Sequence, residues 1–106
     1  MRAISLSTLD KYRKNAKHDK NIPNDVLKVK LNCLIDAVGK ENIITRGDVS
    51  TYQFGTCIFH VRDNIITDIR WENEDRKPNE FEIKRMITLY IRNGLNKNGN
   101  KFIDLN

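Results

Sequence analysis

Residues 55–71 carry the clearest alternation of apolar and polar positions, and this stretch predicts a β-hairpin. The polar triplet Arg62-Asp63-Asn64 separates two β-rich runs, and Asn at the end of a loop tolerates a positive φ. We predict a three-residue loop, because the resulting register collects apolar residues on one face, which Trp71 extends. The cross-strand pairs in this register are Val61 with Ile65, Phe59 with Thr67, and Cys57 with Ile69.

Apolar residues at helical spacing predict three helices elsewhere in the chain. The first covers residues 5–20 with Ser7 as its N-cap, and the second covers residues 25–38 with Asn24 as its N-cap. Gly39 is placed to end the second helix in a left-handed conformation. The third begins after Asn79, and its acidic first turn suits the positive end of the helix dipole.

The remaining β-rich segments, residues 42–46 and 49–54, precede the hairpin and complete a meander. The sequence therefore predicts one α+β domain over residues 1–106. Two N-terminal helices and one C-terminal helix pack on an antiparallel sheet of three or four strands. Residues 95–106 are rich in Asn, Lys and Gly, and we expect either a frayed tail or an edge strand there.

The composition is that of a globular protein, with 39% hydrophobic and 31% charged residues. No apolar run is long enough for a membrane helix, and the first residues lack the apolar core of a secretory signal, so we expect a cytoplasmic protein. Cys33 and Cys57 each lie in an apolar run and are interpreted as small buried side chains. Abundant Asn, Ile and Lys are typical of a low-GC genome or a bacteriophage.

Positive charge is concentrated near the N-terminus. The formal net charge is +5, and residues 11–20 contain five basic side chains and one acid. This pattern favours a polyanionic partner, RNA or single-stranded nucleic acid, although a solvated helix face is the alternative interpretation. The candidate phosphate contacts are Lys11, Arg13, Lys14, Lys17 and Lys20.

The two histidines have no ligand partner at metal spacing, so neither a metal nor a cofactor is expected. Metal-free RNA cleavage needs an acid or base near pKa 7 and cations for the phosphorane charge. The candidate catalytic residues are His18, Lys17 and Arg70, with Tyr52 and Trp71 as stacking platforms for bases. Each also has a structural interpretation: a helix C-terminus for His18, the core for both aromatic residues, and a surface ion pair for Arg70.

The order of a basic helix, an apolar helix and an antiparallel sheet with a late Trp resembles small bacterial ribonuclease-toxin domains of the colicin D and RelE–barnase type. The matching residues are Lys14, Lys17-His18, and Thr67 followed by Trp71, within residues 9–71. The resemblance implies a metal-independent endoribonuclease. Ala16 departs from the lysine of the family pattern, and Thr67 lies four residues before Trp71 rather than two. A non-enzymatic phage-type protein that binds and inhibits a host enzyme or defence factor is the alternative.

Overall fold

The computed structural model describes residues 1–101 and contains five strands, three α-helices and two short 3-10 turns. One cluster of buried apolar side chains lies between the sheet and the helices. The elements in chain order are β1 (Ala3–Ile4), α1 (Leu6–Asn15), the turn Lys17–Asp19, α2 (Asn24–Ala37), the turn Lys40–Asn42, β2 (Ile43–Arg46), β3 (Val49–Phe54), β4 (Cys57–Arg62), β5 (Ile65–Trp71) and α3 (Glu80–Arg92).

The sheet has five strands in the order β1-β5-β4-β3-β2. The prediction of an α+β fold with three helices is confirmed, but the prediction of a purely antiparallel sheet is wrong. Strand β1 pairs in parallel with β5, through Ala3 with Ile65 and Ile4 with Ile66. A two-residue strand has no detectable period of its own, so only its docking on β5 reveals it.

The central hairpin exists, but its predicted loop and register are wrong. Arg62 pairs with Ile65, and the turn consists of Asp63 and Asn64, with φ values of 50° and 61°. Positive φ at both central residues is the requirement of the type I′ turn, whose twist matches that of a hairpin. A bulge next to Val61 leaves Thr67 as the extra residue.

This bulge explains why the predicted buried face is largely correct despite the wrong register. Because Thr67 is extra, both Ile66 and Ile69 point inward, at 1% and 0% exposure. Phe59 is fully buried at 0%, whereas Trp71 is only half-buried. With a regular two-residue turn and no bulge, Ile66 and Ile69 would face opposite sides of the sheet. The extra residue, Thr67, lets both side chains face the core.

The first predicted helix is split and differently capped. Ser5, not Ser7, is the N-cap, and its hydroxyl accepts the Thr8 N–H at 3.3 Å. The chain leaves the helix at Ala16 (φ −109°, ψ 73°) and re-forms as the turn Lys17–Asp19. This break turns Asp19 into the interior, where it is 1% exposed.

The predicted caps of the second helix are also wrong. Asn24 is the first helical residue, and Pro23 precedes it as the N-cap without a side-chain hydrogen bond. Gly39 has a φ of −72°, so it is not left-handed. Its N–H donates instead to the Glu82 carboxylate at 2.7 Å, which ties the end of α2 to the start of α3.

The third helix begins as predicted. Asn79 forms a capping box with Glu82, and Gly94 (φ 79°) follows the helix end. At the start of the segment predicted as a tail, Leu95 is 4% exposed and bridges to Lys101. Residues 102–106 of the predicted tail lie outside the described residues. None of the helices in the described part of the chain combines the length and apolar composition needed to cross a bilayer.

Candidate nucleic-acid interface

Four of the predicted cationic residues line one groove beside α1. Arg13, Lys14, Lys17 and Lys20 border an open groove of about 810 Å³ together with Asp10. The helix α1 and the following turn Lys17–Asp19 position these residues, because the break at Ala16 redirects the chain while keeping its basic side chains on the surface. We call these five residues the basic groove.

The cations of the basic groove differ in how far other contacts occupy them. Arg13 donates to the Ile22 carbonyl at 2.7 Å and to the Asn24 side-chain oxygen at 2.6 Å, so it joins α1 to α2. Lys14, Lys17 and Lys20 are exposed, and among residues 1–101 no carboxylate lies within 4 Å of their ammonium groups. These three lysines are available for a ligand.

Lys11 lies apart from the basic groove. Its ammonium group donates a hydrogen bond to the Asp68 carboxylate on β5, and this bond lowers the pKa of Asp68 below its ordinary value. Both side chains are about half exposed, at 50% and 40%. The structure therefore places Lys11 in a surface ion pair rather than beside the other lysines.

The predicted catalytic residues His18 and Arg70 lie on opposite faces of the sheet. The His18 side chain is 78% exposed on the helical side, with Nε2 3.7 Å from a carboxylate oxygen of Asp19. Arg70 stands between the inward-facing Ile69 and Trp71, so it points away from the helices and lines a different cleft. Lys17 is the residue before His18 in the chain, whereas Arg70 on β5 is not close to either of them.

The two predicted stacking residues face the core side of the sheet. Tyr52 is half-buried, and the Arg2 guanidinium carbon lies 5.5 Å from the centroid of its ring. The Trp71 ring packs against Tyr12, with centroids 5.6 Å apart and planes tilted by 35°. Each ring therefore has one face in contact with another side chain of the domain.

A buried charged cluster lies beneath the basic groove, and the sequence analysis missed it. Asp19 accepts a hydrogen bond from Lys30 Nζ at 2.7 Å and another from the Tyr12 hydroxyl at 2.6 Å. The Lys30 and Asp19 side chains are only 7% and 2% exposed. Burial, and then the hydrogen bond to Asp19, raise the pKa of Tyr12, which therefore remains a proton donor. The sequence signal that could have revealed this cluster is Lys30, a lysine among the buried apolar residues of α2.

A second cleft, of about 510 Å³, opens beside this cluster. We call it the Tyr90 cleft. Its polar lining comes from the buried cluster, from Tyr90 and from the segment after α3, and His18 lies on its border. Its apolar lining consists of Leu34, Phe54 and Met86.

Nothing in residues 1–101 groups three or more side chains suited to hold a metal ion. Comparison with protein-family models, curated proteins and solved structures found no match to this chain. The resemblance to ribonuclease toxins therefore stays a prediction, and the evidence for a function comes from the residues and geometry of the site.

Proposed function

We propose that this protein binds RNA or another single-stranded nucleic acid through the basic groove. The observation that supports this proposal is the set of Lys14, Lys17 and Lys20, which share one groove and form no ion pair with any carboxylate among residues 1–101, although Asp10 also lines the groove. Like charges held together repel one another, and a polyphosphate chain relieves that repulsion while releasing its own counterions. A groove open at the surface suits a flexible single strand.

We propose binding without cleavage. In-line attack on RNA needs a proton acceptor and a proton donor placed on either side of the reacting phosphate. His60, the other histidine, lies on the face of the sheet opposite to His18, where its Nδ1 is 3.3 Å from the Thr51 hydroxyl. Arg70 is on that face as well, so His18 has neither of them as a partner. Incubated RNA is expected to stay intact in EDTA.

The salt dependence of binding tests the groove. Fluorescence anisotropy with a labelled single-stranded RNA should give a linear fall of log K with log salt, with a slope of about −0.7 per phosphate contacted. Replacing Lys14, Lys17 and Lys20 with Gln removes three such contacts. We expect the slope to become shallower by about 2 and the affinity at low salt to fall steeply.

A matched control separates the groove from net charge. Lys40, Lys77 and Lys84 are exposed and do not line the basic groove. Their replacement with Gln lowers the net charge by the same three units from +5. If both triple variants weaken binding equally, the groove is not the binding site. If the wild-type protein retains no nucleic acid at low salt, the proposed function is wrong.

A second candidate function is binding of a protein partner, and the exposed side of α3 favours it. Phe81, Ile83 and Ile91 on this helix are 66%, 37% and 53% exposed. Large exposed apolar side chains on one element are typical of contact surfaces. Sedimentation analysis of the wild type and of Ile91→Lys tests whether that partner is a second copy of this chain: self-association that the substitution abolishes would support a second copy, and a wild-type monomer at all concentrations would exclude it.

A further inference from the structure

The Tyr90 cleft combines an apolar floor with polar groups, and one of these, the Tyr90 hydroxyl, has no hydrogen-bond partner within residues 1–101. Its volume, about 510 Å³, lies within the range of sites that hold small organic ligands. The apolar part is formed by Leu34, Phe54 and Met86, from α2, β3 and α3. Such a floor favours a flat, weakly hydrated group rather than a free ion.

Tyr90 provides the clearest sign of a ligand. The residue is 2% exposed, it lines the cleft, and its hydroxyl makes no hydrogen bond to any of residues 1–101. Among those residues Trp71 Nε1 is the buried side-chain polar atom without a partner, so the Tyr90 hydroxyl is in contact with solvent, and a ligand acceptor can replace water there. Burial raises the pKa of Tyr90, so the hydroxyl keeps its proton and is a donor at neutral pH. The cleft therefore presents a donor that is not used within the domain.

Further donors surround this hydroxyl. Lys30 Nζ has three N–H groups, and a single carboxylate oxygen of Asp19 accepts one of them. Asn98 and Asn100 donate their backbone N–H groups to the Asn96 side-chain oxygen, and both residues line the cleft. A suitable ligand is therefore planar and carries ring or carbonyl acceptors at its edge.

The cleft and the basic groove meet at consecutive residues. Lys17 lines the groove, and His18, the next residue, lines the cleft. Lys97 also lines the cleft and adds a cation to it. A chain whose phosphates lie along Lys14 and Lys17 thus passes the mouth of the cleft, and a group carried by that chain can enter it.

We infer that the Tyr90 cleft takes up one unstacked nucleobase of the single strand whose phosphates occupy the basic groove. This inference rests on the proposed function and names the part of the ligand that the groove leaves unbound. The Tyr90 hydroxyl and Lys30 donate to acceptors on the edge of the base, and the apolar floor packs against its ring. The base then replaces water at the Tyr90 hydroxyl.

Abasic substitution tests the inference directly. We compare short oligouridylate with an abasic ribose-phosphate chain of the same length, which has identical phosphates. The wild-type protein should bind the abasic chain weaker by at least about fivefold. Tyr90→Phe removes only the hydroxyl, which has no partner to lose within the described residues, and should weaken oligouridylate binding by about 3- to 10-fold while leaving abasic binding unchanged.

A second variant, Asn98→Trp, tests the cleft independently of Tyr90→Phe. Asn98→Trp fills the exposed border of the cleft while keeping the backbone N–H that Asn96 accepts. It should abolish the difference between the two chains. Equal wild-type affinity for both chains, or a base-dependent difference that survives in both variants, would overturn the inference and leave the groove proposal standing. Binding of neither chain would overturn the proposed function, and the inference with it.

Discussion

The ion pair between Lys30 and Asp19 gives the strongest prediction about stability. Lys30→Met keeps the length and apolar character of the side chain but removes the ammonium group from Asp19. The remaining carboxylate is 2% exposed and keeps the hydrogen bond from the Tyr12 hydroxyl, with Nε2 of the exposed His18 ring 3.7 Å away. Removing one member of a buried pair leaves the other charge without its buried partner, and we expect a loss of about 3–5 kcal/mol in the free energy of unfolding.

That loss is a large part of the stability of a small domain, which is about 5–15 kcal/mol. Equilibrium unfolding in urea, followed by circular dichroism and the fluorescence of the single tryptophan Trp71, measures it. With the slope usual for small proteins, the midpoint should fall by about 1 M or more. Asp19→Asn combined with Lys30→Met removes both charges and keeps an oxygen acceptor for Tyr12, so it should recover most of the loss.

Lys11→Met is the matched control. It breaks another lysine–aspartate contact, with Asp68, in which both side chains are about half exposed. Water and salt screen such a pair, and we expect a change of about 0–1 kcal/mol. If Lys30→Met lowers the free energy of unfolding no more than Lys11→Met does, burial does not strengthen the Lys30–Asp19 pair. The same conclusion follows if the double variant is as unstable as Lys30→Met alone.

Desolvation alone would raise the pKa of Glu82, but hydrogen bonds from two backbone N–H groups and one side-chain amide outweigh it and lower the pKa below its ordinary value of 4.5. The contribution of Glu82 to stability should therefore be complete above pH 4.5 and should be lost as the pH falls below that value. Urea titrations against pH should show a weaker acid dependence for Glu82→Gln. Gly47→Ala should lower the free energy of unfolding by roughly 1–2 kcal/mol, the strain of a left-handed alanine, because a Cβ there meets nothing within 4 Å. Gly55→Ala should lower it further, because a Cβ at Gly55 meets a backbone oxygen at 2.9 Å. Equal losses in the two variants would contradict this prediction. Burial raises the pKa of Cys33 to about 11 and of Cys57 to about 12, so a thiol reagent at pH 8 should react with them only after unfolding, and rapid native reaction would show them to be accessible.

Local pattern was sufficient for most of the secondary structure. β-rich composition identified β3, alternation identified β4 and β5, and apolar residues at helical spacing identified α2 and α3, because these signals are written within each segment. The start of α3 after Asn79 was predicted from its acidic first turn, and the structure adds a capping box between Asn79 and Glu82. The clustering of basic residues at positions 11–20 was visible for the same reason.

Details that depend on neighbouring elements were not readable. The two-residue strand β1 exists because β5 offers it a free edge, and the position of the Thr67 bulge depends on which side chains the helices cover. The expected left-handed cap at Gly39 was replaced by a bond to Glu82, 43 residues away. Such choices are decided by packing between elements rather than by local propensity.

The candidate site shows the same division. The sequence alone determined that a cationic surface would lie near the N-terminus, because charge density is a property of composition and spacing. Only the tertiary structure decided which cations are available, since Lys11 pairs with Asp68 on β5 and Arg13 binds the segment that leads into α2, while Lys14, Lys17 and Lys20 form no ion pair within residues 1–101. It also separated His18 from Arg70 and buried Lys30 against Asp19, because the sheet has two faces and only one of them is covered by helices.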